Sequence, residues 1–149
     1  MALRLYASDK FIPTWNDNRE QPEKEQISLE YHLMSVEDVF KVQREKGVDL
    51  LVGINPDLRS QEDMSKYWQM ITAVLEEYTF NYRNIFFDGK ELTDIKEITK
   101  KCRMNHMQLM AEIFNKVLVS SVGFEDDVKN SNTDSDVTSE ESTTLATTV

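Results

Sequence analysis

A single cysteine, Cys102, in a chain of 149 residues excludes an internal disulfide and fits a reducing compartment. Basic residues are also in short supply: 17 Lys and Arg stand against 27 Asp and Glu, a formal net charge of −10. Nucleic-acid binding needs a basic footprint for phosphates, so that class is set aside. No apolar run approaches the roughly 20 residues of a membrane span, and the first residues lack the apolar core of a signal peptide. The expectation is a soluble protein with no transport signal and no membrane contact. The four glycines stand apart at 47, 53, 89 and 123, so neither a phosphate-cradling loop nor a glycine-framed nucleophile can be built.

What the chain does have is one strongly amphipathic stretch, Ser60 to Asn81. Met64, Tyr67, Trp68, Ile71, Val74, Leu75 and Tyr78 recur at steps of three and four, which places them on one stripe of a helix. Glu62, Lys66, Gln69, Glu76 and Asn81 fall opposite. Ser60 suits the N-cap, with Glu62 and Asp63 near the positive end of the macrodipole. Burial of such a stripe is worth on the order of 10 kcal/mol before entropy is counted.

Upstream, residues 3–6 and 10–15 are short apolar-rich runs separated by Ser8-Asp9, a turn-like pair. Pro13 cannot donate to a ladder and demotes the second run to an edge strand or irregular arm. Residues 16–25 form a polar loop. Ile27, Leu29, Tyr31 and Leu33 then alternate with polar residues, a strand that should pair with the 3–15 region. Ser35 caps a helix with Asp38 as capping-box partner, Val36, Val39, Phe40 and Val42 facing inward, and Gly47 at its end. Residues 48–59 read as either strand or helix, broken at Asn55-Pro56.

Beyond the long helix, Asp88-Gly89 marks a turn or small hairpin. Two helices follow. Asp94 caps the first, with Ile95, Ile98 and Cys102 inward. Asn105 caps the second, with the stripe Met107, Met110, Ile113, Phe114, Val117 and Leu118, and Gly123 at its end. From Glu125 to Val149 there are seven acidic residues and one basic, with few large apolar side chains. That composition predicts a disordered acidic tail. The fold expected is α+β and mostly α: a small N-terminal antiparallel β element, then a bundle of about four helices. One globular domain spans 1–124, β-rich to 34 and helical from 35 to 124, with the tail at 125–149.

Chemistry is sparsely provided for. Cys102 and His106 lie four apart among methionines, but a helix break at Asn105 would spoil their common face, and a buried thiol with a solvated histidine is the simpler reading. His32 falls on the outer face of its strand, and paired carboxylates such as Glu76-Glu77 sit where nothing desolvates them. No catalytic, cofactor-binding or metal residue is assigned, and the chain is not expected to be an enzyme. Tyr78, Phe80, Tyr82, Phe86 and Phe87 crowd the end of the long helix and the following turn. Any of them left outside the core would form, with Met107 and Met110, an apolar patch suited to a partner's helix.

Two stretches bring a resemblance into view. One is KFIPTWNDNREQPEKEQISLEY at 10–31. The other runs from Leu75 to Asn130 through NIFFDGKEL and VLVSSVGFEDDVKN, closing on Lys129-Asn130-Ser131. They resemble the tail assembly chaperones of long-tailed (siphovirus-type) bacteriophages, particularly those of Gram-positive hosts, over about half of the chain. Residues 48–59 fall outside the resemblance. It implies a protein of the host cytoplasm that coats the tape-measure protein during tail morphogenesis, in contact with the tail-tube protein and with its own copies, and absent from the finished particle. A structural tail or connector protein kept in the virion is the alternative. A regulator directed at a host protein is a third possibility.

Overall fold

The computed structural model describes residues 2, 7–50 and 60–122, with the side chain of Val122 left out. Its sheet has three antiparallel strands in the order β1 (Ser8–Phe11), β2 (Ser28–His32), β3 (Thr79–Arg83). β1 lies along β2 with Ser8 opposite His32 and Phe11 opposite Leu29. Ser8 and Asp9 are therefore strand residues and not the turn their composition suggests: the ladder to β2 supplies hydrogen bonds that outweigh their local preference. The polar loop condenses into two 3-10 turns, Trp15–Glu20 and Glu23–Glu25. Buried Asn18 organises it. Its amide donates to the carbonyls of Pro13 (2.8 Å) and Ile27 (3.0 Å), and its Oδ1 accepts the Ile27 N–H at 2.7 Å.

The β2–β3 pairing is irregular, and the irregularity decides what is buried. Ser28 pairs with Arg83 and Glu30 with Phe80, so two steps along β2 match three along β3. The extra residue lies on β3, where Asn81 takes a left-handed φ of 54° that Asn tolerates better than most residues. Its amide donates to Glu30 Oε2 at 2.6 Å. The bulge turns both Thr79 and Tyr82 inward, and their hydroxyls meet at 2.8 Å. Asn81 is thus part of a strand and not of the preceding helix's polar face. Burial holds the Tyr82 pKa well above the ordinary phenol range.

Helix α1 (Val36–Lys46) has the expected capping box: the Ser35 hydroxyl accepts the Asp38 N–H at 3.1 Å, and the Asp38 carboxylate accepts the Ser35 N–H at 2.9 Å. Gly47 closes it at φ 65°. Its inner stripe is narrower than expected. Val42 is buried and Val39 half-buried, but Val36 and Phe40 are 69% and 54% exposed. The last two occupy a neighbouring stripe four residues apart, rotated away from the layer that α1 covers.

Helix α2 (Gln61–Tyr78) begins at Ser60, whose hydroxyl accepts the Asp63 N–H at 3.0 Å. Tyr67, Met70, Ile71, Val74, Leu75 and Tyr78 are buried, while Met64 and Trp68 are half-buried. Helices α3 (Ile95–Lys101) and α4 (Met107–Val122) complete the layer. Asp94 caps α3, accepting the Lys96 N–H at 3.0 Å. Asn105 does not cap α4. It sits inside a 3-10 turn, Met104–His106, that leads straight into the helix, and the side chain closing that turn is His106, whose Nδ1 accepts the Arg103 N–H at 3.0 Å.

α4 is the spine of the core. Tyr67 meets Phe114 edge to face with centroids 6.0 Å apart, and Ile113, Phe114, Val117 and Leu118 are fully buried. Ser121 Oγ accepts the Met34 N–H at 3.2 Å, tying the helix to the end of β2. The class is α+β and mostly helical, with a small antiparallel sheet. Its third strand comes from residues 79–83, within the stretch expected to be helical: Thr79, the C-cap of α2, is already extended, so β3 follows the helix without a loop. Among the described residues no helix is long and apolar enough to cross a membrane. Residues 3–6, most of the ambiguous stretch 48–59, Gly123 and the acidic segment 125–149 lie outside the described residues.

Candidate functional site: an apolar groove beside the hairpin

The Asp88-Gly89 turn is where the sequence places it. Strands β4 (Phe86–Phe87) and β5 (Lys90–Glu91) form a two-residue hairpin, with Asp88 at φ 51° and Gly89 at φ 79°. Two successive positive φ angles suit the twist of a tight hairpin, and Asp-Gly is among the dipeptides that supply them. The hairpin is pinned at its base. Asn84, at φ 65°, donates its side-chain amide to the carbonyls of Lys24 (3.0 Å) and Gln26 (2.8 Å), and its backbone N–H to Glu91 at 2.8 Å. The Leu92 N–H closes on Ile85 at 2.7 Å.

Pinning the base leaves the tip outside the core. Phe86 is 58% and Phe87 40% exposed. Between the hairpin, the end of α3 and the start of α4 lies a groove of about 300 Å³. Ile27, Ile85, Leu92, Ile98, Leu109 and Met110 form its floor. Trp15, Phe86, Phe87, Lys101, Cys102, Arg103 and His106 form its walls. Trp15 meets His106 edge-on at 5.9 Å, and the Lys101 ammonium stands 4.6 Å from the centre of the Phe87 ring.

The Trp15 wall is held from across the chain. Both carboxylate oxygens of Glu112 on α4 are engaged there: Oε2 accepts the Thr14 N–H (2.7 Å) and hydroxyl (2.9 Å), and Oε1 accepts the Trp15 N–H (3.0 Å). A carboxylate taking several N–H and O–H donors makes charge-assisted bonds, stronger than neutral ones. Groove and core therefore share α4 as their support.

Of the residues singled out from the sequence, Phe86 and Phe87 stand on the groove wall and Met110 lies buried in its floor. Met107 is half-buried against the core. Tyr78 and Tyr82 are core residues and offer no surface to a partner. The Tyr78 pKa is raised to about 12 by burial, with help from the nearby Glu77 and Asp38. Phe80 does not line the groove; it stacks on His32 with centroids 4.6 Å apart. Sequence reasoning missed Trp15, Ile27, Lys101 and Arg103 as groove residues.

The groove offers little to a covalent mechanism. Burial pushes the Cys102 thiol up to about 11, which keeps it protonated near neutral pH, the opposite of an activated nucleophile. His106 has Nδ1 engaged by backbone. Among the described residues no group of three or more His, Cys, Asp or Glu is placed to hold a metal ion. What the arrangement provides is a short apolar trough with an aromatic lip. No protein-family model, curated protein or solved structure matches the chain.

Proposed function

We propose that this chain is a non-enzymatic binding protein that takes one face of a helical partner into the groove, acting as a tail assembly chaperone on the tape-measure protein of a long-tailed phage. The observation that supports this most is the pair Phe86-Phe87, kept outside the core by a turn that the sequence itself encodes. Full burial of a phenylalanine is worth about 1.5–3 kcal/mol, and a partner covering the lip would recover the share that the exposed part of each ring leaves unrealised. The groove is short, so one copy would hold only a turn or two of helix, and a long partner would need many copies side by side. Many weak, repeated contacts suit a protein that must coat a helical filament and leave it when the tail-tube protein polymerises around it. The identity of the partner rests on the resemblance of residues 10–31 and 75–130. The site of action is then the host cytoplasm.

Co-expression tests the reading. The tape-measure protein should stay soluble with the intact chain and become insoluble with Phe86→Ser/Phe87→Ser. If its solubility is the same with and without this chain, the chaperone role fails. Stoichiometric recovery of the chain in purified particles by mass spectrometry would make it a structural tail or connector protein instead.

A further inference from the structure

The hairpin side of the groove is uncharged, made of Asn84, Ile85, Phe86 and Phe87. On the α3 side stand Lys101 and Arg103, and among the described residues neither has a carboxylate partner. Lys101 in the last turn of α3 complements the helix dipole, which is reason enough for a lysine there. That reason does not extend to Arg103, which lies beyond the helix end, nor to placing the Lys101 ammonium over an exposed ring at 4.6 Å. In a chain of net charge −10, a groove whose charged lining among the described residues is Lys101 and Arg103 is a local inversion of sign.

We infer that the groove selects a helix whose apolar stripe is bordered by carboxylates, and that Lys101 and Arg103 read that border. The inference rests on the helix-binding reading above and adds the partner's chemistry and direction to it. The acidic flank lies along α3, and the apolar knobs point into the floor between Leu92 and Leu109. Arg103 can take a carboxylate bidentately, while Lys101 can meet one and keep its contact with Phe87. The chain's own segment 125–149 has the right sign, but its larger apolar side chains, Val128, Val137, Leu145 and Val149, are spread at intervals that give no stripe to fill the floor.

Synthetic amphipathic 20-residue peptides sharing one Leu/Phe stripe and flanked by Glu, Gln or Lys would be titrated into the full chain by calorimetry, following Trp fluorescence in parallel. The Glu-flanked peptide should bind about 10-fold more tightly than the Lys-flanked one at low salt, with the gap closing at high salt. Lys101→Glu/Arg103→Glu, checked for folding by circular dichroism, should reverse the order. Equal binding by all three peptides would remove the charge inference and leave the groove standing. Failure of every peptide to bind would overturn both. A Glu preference that survives the double substitution would place acid recognition elsewhere. Sedimentation of the free chain closes the remaining case: a dimer that Phe86→Ser/Phe87→Ser dissociates would assign the groove to a second copy and overturn the proposal.

Discussion

α4 and the 86–91 hairpin both carry large apolar side chains, and they dispose of them in opposite ways. On α4, Ile113, Phe114, Val117 and Leu118 repeat at helical spacing, so one stripe faces α2 and the sheet and no exposed surface remains. In the hairpin, Phe86 and Phe87 sit on a two-residue strand that pairs only with β5, and both remain on the groove wall, partly open to solvent. Residue type therefore does not separate core from surface in this protein; the backbone that presents each residue does. Phe114 and Phe87 are the same side chain with opposite fates.

The comparison breaks most visibly at Phe114. Phe114→Ala should cost about 3–5 kcal/mol in chemical denaturation, with the m-value unchanged. A cost below about 1 kcal/mol would mean that α4 is not the spine described above. Glu112→Ala comes next. It strips three donors of their shared acceptor, and a loss of about 1–3 kcal/mol is expected, with altered Trp15 emission as the groove wall loosens. An unchanged spectrum would show the wall to be held by something other than this carboxylate. Smallest is Phe86→Ser/Phe87→Ser, which should cost no more than about 1 kcal/mol, because much of both rings is already open to solvent. A large destabilisation there would turn the lip into part of the core and remove its role as a binding surface.

Local hydrogen bonding was the most readable level of this fold. Ser35 with Asp38, Ser60 with Asp63, Asp94 and Gly47 announce their helix ends because the partners lie within a few residues of each other. Asp88-Gly89 announces its turn because few dipeptides accept two positive φ angles. β3 was hidden by its own bulge. With Asn81 in the left-handed region, the inward residues Thr79 and Tyr82 stand three apart, the spacing of a helix, so the sequence pattern reads as α2 running on to residue 81. The site was half legible. Phe86 and Phe87 could be named beside a recognisable turn, yet Tyr78 and Tyr82, also aromatic and only a few residues away, point inward. Trp15, Lys101 and Arg103 carry no periodic signal, since loops and helix ends have none, and the alternation that includes Ile27 marks a buried strand face without placing it beside the hairpin. Glu112 carries no signal in the sequence, as its partners lie 97 and 98 positions upstream.

That separation gives the groove a place in time. Residues leave the ribosome in order, at about 5–20 per second, so roughly 5–20 s pass between the synthesis of Trp15 and that of Glu112. Throughout that interval the Trp15 wall lacks its anchor, and Leu109 and Met110 of the floor do not yet exist. A nascent chain carries the first strand and the aromatic lip before it has a groove to put beside them. Capture of a partner on this surface, as proposed above, would have to wait until α4 has emerged.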